Sequence, residues 1–125
     1  MKESELHNSV CDYIRLQYPK VLFVSDSSGI RLTIGQAIRM KKLRKCNAWP
    51  DLFIAEPVTI YHGLFIEIKI EGTNLHKKNG DWATKHIYEQ NEVLKLLHTK
   101  GYYTNFGIGF SHIKQLIDNY LKGLK

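Results

Sequence analysis

Apolar positions along the chain change spacing from one stretch to the next, and the changes mark out eight elements. Leu6, Val10, Tyr13 and Ile14 recur at helical spacing, which predicts a helix over residues 3–18 that Pro19 follows. Val21-Leu22-Phe23-Val24 reads as a short buried strand, and residues 25–31 as a polar turn. Residues 34–45 form a basic helix, residues 51–55 a strand, and residues 61–70 a second strand, with Pro57 in the turn between them. A basic, glycine-bearing loop covers 71–82. A helix follows over about 83–99, closed by Gly101, then a strand over 102–108. A last helix spans 112–122, with Ser111 as its N-cap. The order α-β-α-β-β-α-β-α predicts an α/β fold, a central mixed sheet of about four strands flanked by helices. The chain has 125 residues and no repeat, low-complexity tract or Pro/Gly-rich linker, so a single domain over 1–125 is expected.

The segment Leu64-Phe65-Ile66-Glu67-Ile68-Lys69-Ile70 alternates between two kinds of side chain. Successive residues of a strand point to opposite faces. Leu64, Ile66, Ile68 and Ile70 are placed to form core. Phe65, Glu67, Lys69 and Glu71 share the other face, which by itself fits a solvated side of a half-buried strand. The strand before it opens with Trp49-Pro50-Asp51-Leu52, and Asp51 stands at the mouth of an apolar run, where a carboxylate needs a partner. If the two strands pair, Asp51 approaches Glu67, and two carboxylates at close range repel unless a cation lies between them. Oxygen donors of this kind suit Mg²⁺ or Mn²⁺. The backbone carbonyl of Ile68 is a further potential ligand, and the Lys69 ammonium would orient an attacking water or offset charge on a phosphate.

Charge sharpens the choice of partner. Lys and Arg outnumber Asp and Glu by 18 to 12, a net charge of +6 on a small domain, which favours a polyanion. Arg31, Arg39, Lys41, Lys42, Arg44 and Lys45 cluster before Asp51; His76, Lys77 and Lys78 follow Lys69. Both clusters flank the candidate strands, where groups that position phosphates are needed, although a solvated basic face has the same composition. Ser25, Ser27, Ser28 and Gly29 form a turn whose hydroxyls and N–H groups can hold a phosphate. Hydrophobic residues make up 43% and charged residues 24%, and no apolar run is long enough to span a bilayer. The polar N-terminus shows no signal peptide. Cys11 and Cys46 fit neither a zinc site nor a disulfide framework, so reduced thiols in a cytoplasmic setting are expected.

Pro50-Asp51, followed sixteen positions later by Glu67-Ile68-Lys69, resembles the PD-(D/E)XK nuclease signature. The resemblance extends over roughly residues 3–121. Gly35-Gln36-Ala37, Met40-Lys41, Leu43 and Trp49-Pro50-Asp51-Leu52 are similar to the region before the aspartate in VRR-NUC domains, and Glu67-Ile68-Lys69, Gln90 and Gly101-Tyr102 continue the pattern. It is most similar to compact stand-alone VRR-NUC proteins of phages and bacteria. The resemblance implies a restriction-endonuclease-like core and Mg²⁺-dependent phosphodiester hydrolysis, with Mn²⁺ able to substitute. It implies catalytic roles for Asp51, Glu67 and Lys69, and a metal held by Asp51, Glu67 and the Ile68 carbonyl. Some of the family act as dimers on branched DNA, including four-way junctions, and the small size of this chain also motivates a homodimer.

Two further positions join the candidate site. Glu3 lies near the inward face that Leu6 and Val10 define, whereas Glu5 is turned away from it at about 100° per residue. Glu3 is thus the better-placed third acid, and Glu5 remains open. The family's helix often has glutamine four positions after this acid; here His7 stands there. Gln90 lies on the apolar face with Ile87, Val93, Leu94 and Leu97, and a buried glutamine needs hydrogen-bond partners. The resemblance puts it beside the metal, contacting Lys69, water or phosphate; a structural amide bonded to backbone is the alternative. Ser27, Ser28, Arg31, Lys41, Lys42, Arg44, Lys45, Lys77 and Lys78 are the expected DNA contacts. A catalytically silent nucleic-acid-binding module on the same fold, and a nuclease acting on linear or single-stranded DNA, are the competing expectations.

Overall fold

A computed structural model describes residues 1–25, 33–43, 45–46 and 48–124. Its elements run α1 (Glu3–Gln17), β1 (Phe23–Ser25), α2 (Ile34–Lys42), β2 (Leu52–Ile54), β3 (Leu64–Lys69), α3 (Lys85–Thr99), β4 (Tyr103–Ile108) and α4 (Gly109–Leu121). The predicted order therefore holds. The strands form one sheet in the order β1-β2-β3-β4, antiparallel across the first two pairings and parallel between β3 and β4. A parallel neighbour requires a crossover, and α3 supplies it.

Each face of the sheet is covered. Leu52, Ile54, Leu64, Ile66 and Ile68 pack against Leu6, Val10 and Ile14 of α1 and Ile113, Ile117 and Tyr120 of α4. On the opposite face Phe65 and Phe106 pack against Ile87, Leu94 and Leu97 of α3. The Phe65/Glu67 side is thus not the solvated face its polarity allows: α3 lies over it, and both side chains are buried. Ile70, expected in the core, falls beyond β3 and is exposed.

Three boundaries shift for identifiable reasons. β3 starts at Leu64 rather than 61. Val58 and Tyr61 exchange both backbone hydrogen bonds (3.1 and 2.9 Å) across a tight turn, where Thr59 adopts φ 52°. α3 starts where the Thr84 hydroxyl accepts the Ile87 amide at 3.1 Å. α4 starts at Gly109, not after Ser111, because Gly109 turns the chain at φ 79° against Glu71. Ser111 then lies inside the first turn and is not the cap. His112 Nδ1 accepts the Ile108 amide instead, at 3.0 Å. Cys11 and Cys46 are free thiols, and among the described residues no helix is long and apolar enough to cross a membrane.

Candidate active site

β3 outruns β2. The last paired residues are Leu52 and Ile66, so Glu67, Ile68 and Lys69 have β4 on one side and no β2 partner on the other. One step beyond the last pair, the register brings Asp51 opposite Glu67. The segment leading there is pinned by burial of Ala48 and Pro50 and by Trp49, whose ring meets Phe65 edge-on at 5.4 Å. Asp51 is 3% exposed, and its Oδ2 accepts the Ile68 amide at 2.8 Å. A side-chain carboxylate therefore satisfies a strand amide that a longer β2 would have taken.

Glu67 is also 3% exposed. Gln90 of α3 donates its Nε2 to Glu67 Oε1 at 2.9 Å. Gln90 thus stands at the site, on a carboxylate rather than on Lys69 or backbone. Burial pushes the Glu67 carboxyl up to about 10. The close approach of Asp51 and its negative charge push the same way, and Lys69 opposes them. In the absence of a cation these influences favour the protonated form of Glu67. Burying two acids side by side is costly, and a cation bound between them would offset their repulsion.

α1 brings a second group of ligand atoms to Asp51. Oxygens of Glu3 and Asp51 and a ring nitrogen of His7 all lie within 4.8 Å of one another. Glu3, not Glu5, makes this approach; Glu5 reaches back to the Lys2 amide at 3.4 Å, at the start of the helix. Among the described residues, three buried polar atoms here lack a hydrogen-bond partner: His7 Nε2, Glu67 Oε2 and Gln90 Oε1. Clustered carboxylates beside buried polar atoms with unused lone pairs form a donor set that suits a divalent cation, so the residues present fit such an ion.

His7 is the residue that sequence reasoning treated only as a departure. A signal was available: His7 stands three positions before Val10 and seven before Ile14, on the same inward face.

The basic groups are less concentrated. Lys41 and Lys42 are exposed in the last turn of α2, and Lys45 is exposed just after it. Ser27, Ser28, Arg31 and Arg44 lie outside the described residues. Lys77 and Lys78 sit near the tip of a small finger over residues 75–83. Backbone bonds from Lys77 to Asp81 (2.7 Å) and from Ala83 to Leu75 (2.8 Å) hold it, and Gly80 turns it at φ 93°. Trp82 stacks on His76 and contacts Phe106, with ring centroids 4.3 and 6.1 Å apart. Its ring is engaged in packing. Phe106 is the β4 partner of Glu67, so the finger is rooted on the face where Glu67 points.

No protein-family model matches the chain, and no curated protein does. A solved structure described as a VRR_NUC domain protein is similar to it with a TM-score of 0.70 at 23% identity, covering 98% of this chain and 90% of that one. The resemblance read from Trp49-Pro50-Asp51 and Glu67-Ile68-Lys69 is therefore borne out in the architecture: this chain has the α/β fold of a VRR-NUC domain, a mixed four-stranded sheet between helices.

Proposed function

We propose that this chain belongs to the VRR-NUC family and is a divalent-metal-dependent DNA endonuclease, using Mg²⁺ with Mn²⁺ able to substitute. The observation that carries this reading is the meeting of two buried acids, Asp51 and Glu67, at the open edge of β3 next to Lys69. A merely structural site has no reason to bury a carboxylate against another and leave one of its oxygens unpartnered.

Asp51 and Glu67 hold the cation with the Ile68 carbonyl, and Glu3 adds a third acid from α1. When bound, such a cation supplies Lewis-acid stabilisation of charge building on the scissile phosphate. Lys69, on the Glu67 face of β3, orients the attacking water and offsets negative charge in the transition state. Gln90 keeps the Glu67 carboxylate aimed by holding one of its oxygens. Lys77 and Lys78 on the finger, and Lys41, Lys42 and Lys45 around the end of α2, grip the phosphate backbone without reading bases. The net charge of +6 supports a nucleic-acid substrate.

Branched DNA is the proposed substrate class, with a homodimer supplying two active sites for paired cuts. The test is cleavage of labelled four-way junction, flap, nicked and plain duplex DNA in Mg²⁺, Mn²⁺ or EDTA. Metal-dependent cutting that is fastest on the branched substrates is expected. Binding of DNA without cutting in either metal overturns the nuclease in favour of a silent binding module. Equal rates on plain duplex overturn the branched preference alone.

A further inference from the structure

We infer that His7 is itself a metal ligand: its Nε2 joins carboxylate oxygens of Glu3 and Asp51 on one divalent cation, and this nitrogen tilts the site toward Mn²⁺ over Mg²⁺. The inference rests on the metal-dependent reading above and deepens it.

The imidazole is 7% exposed, and among the described residues its Nε2 has no hydrogen-bond partner. The nearest Glu3 oxygen stands 3.7 Å away, beyond a hydrogen bond but at a separation that two ligands of one ion adopt. A buried ring nitrogen facing two carboxylates is costly unless something fills the space between them. The other nitrogen is already occupied. His7 Nδ1 lies 3.4 Å from the Ser25 hydroxyl at the end of β1. A proton on Nδ1, donated to Ser25 Oγ, leaves the Nε2 lone pair free and aimed at the acids. That is the arrangement in which a second partner fixes the tautomer of a ligating histidine.

The donor set decides the preference. Carboxylates alone suit Mg²⁺ and Mn²⁺ alike, whereas an imidazole nitrogen favours first-row transition ions and gives Mg²⁺ little. A glutamine at this position offers an amide oxygen and no such bias. The two-carboxylate, one-imidazole set, with Glu3 and His7 from α1 and Asp51 from the start of β2, is thus a specificity device.

Mn²⁺ binding to the intact protein, followed by electron paramagnetic resonance with Mg²⁺ as competitor, provides the test; it needs no DNA and no turnover. Bound Mn²⁺ in the unsubstituted protein should show nitrogen modulation in the echo envelope, absent in His7→Gln. The same substitution should lower Mn²⁺ affinity about tenfold and change Mg²⁺ affinity far less. Mn²⁺ bound without nitrogen modulation, or an unchanged Mn²⁺-to-Mg²⁺ ratio in a His7→Gln protein with unaltered circular dichroism, overturns the role of His7 while leaving the metal-dependent nuclease standing. Failure of the unsubstituted protein to bind either ion overturns both. Ser25→Ala is the second variant. By freeing Nδ1 it should weaken Mn²⁺ binding and retain the nitrogen signal; unchanged Mn²⁺ affinity removes the positioning part of the inference.

Discussion

Two carboxylate centres in this small protein are built in opposite ways. Asp118 on α4 is surrounded by donors: the Tyr13 and Tyr18 hydroxyls reach its Oδ1 at 2.6 Å each, and Lys114 reaches Oδ2 at 3.0 Å. Burial raises its pKa, but these three donors outweigh burial and hold it below the ordinary aspartate range. Glu67, at the open edge of β3, meets another acid, keeps one oxygen unpartnered and is pushed up to about 10. The first centre ties α1 to α4 and contributes stability. The second is a local conflict that the rest of the fold tolerates, which is the usual mark of a place kept for chemistry.

The sharpest way to break this contrast is activity. Asp51→Ala, Glu67→Ala and Lys69→Ala should each lower cleavage at least about a hundredfold while leaving DNA binding largely intact. Asp118→Ala should cut at the normal rate wherever it is folded. Near-normal cutting by any of the first three rejects that residue's role.

Stability should move in the reverse order. Asp118→Ala removes the acceptor of two partly buried hydroxyls and should cost about 2–3 kcal/mol in denaturant unfolding. Glu67→Gln, unfolded in EDTA, should stabilise the protein, with Tm rising by about 4 °C for each kcal/mol gained. A fall in Tm for Glu67→Gln would mean that the acid pair is structural.

Acidity separates the two centres as well. The lowered pKa of Asp118 gives stability that is present above the unfolded aspartate value near about 4 and is lost as pH falls through the folded value. The advantage over Asp118→Asn should therefore shrink in acid. Glu67 works with the opposite sign. Its folded pKa is raised, so between the unfolded value of 4.5 and about 10 the native state holds a proton that the unfolded chain has released. Stability of the metal-free protein should fall across that window, and the gain from Glu67→Gln should widen as pH rises. Parallel pH curves for parent and variant would contradict this.

The smallest expected effect concerns the substrate surface. Neutralising Lys41, Lys42, Arg44 and Lys45 together should weaken binding equally on all DNA sequences and flatten its salt dependence. The log–log slope should fall by about 0.9 for each phosphate that the protein no longer neutralises. An unchanged slope would place the DNA elsewhere, with the Lys77/Lys78 finger as the next surface to neutralise.

Much of this was legible in the sequence, because the chain signals its elements with local chemistry. The apolar spacing of Leu6, Val10 and Ile14 locates α1, and an apolar run on each side of Pro57 marks β2 and β3, whose pairing the sequence leaves as a condition. Given that pairing, the meeting of Asp51 with Glu67 is legible too, although only the register of Leu52 with Ile66 sets it. What escaped depended on layers that only tertiary structure supplies. The alternation in Leu64–Lys69 could not show that α3 covers the second face, so Glu67 looked compatible with solvent. Ser111 has the right chemistry for a cap, but Gly109 starts the helix two residues earlier and His112 takes the free amide. His7 was hidden for a different reason. Its significance comes from Asp51 and Ser25, residues far away in the chain that the sheet brings to it.

The bond from the Ile68 amide to Asp51 has a consequence beyond chemistry. The acid doubles as the latch that finishes an unfinished strand, so if the proposed hydrolysis is right, a descendant that abandoned it could not discard Asp51 without fraying the sheet beside it. Glu67 carries no such duty and would be the first to drift. Natural variants of this chain with Asp51 kept and Glu67 replaced would accordingly be retired enzymes with sound scaffolds, whereas the reverse combination should be rare.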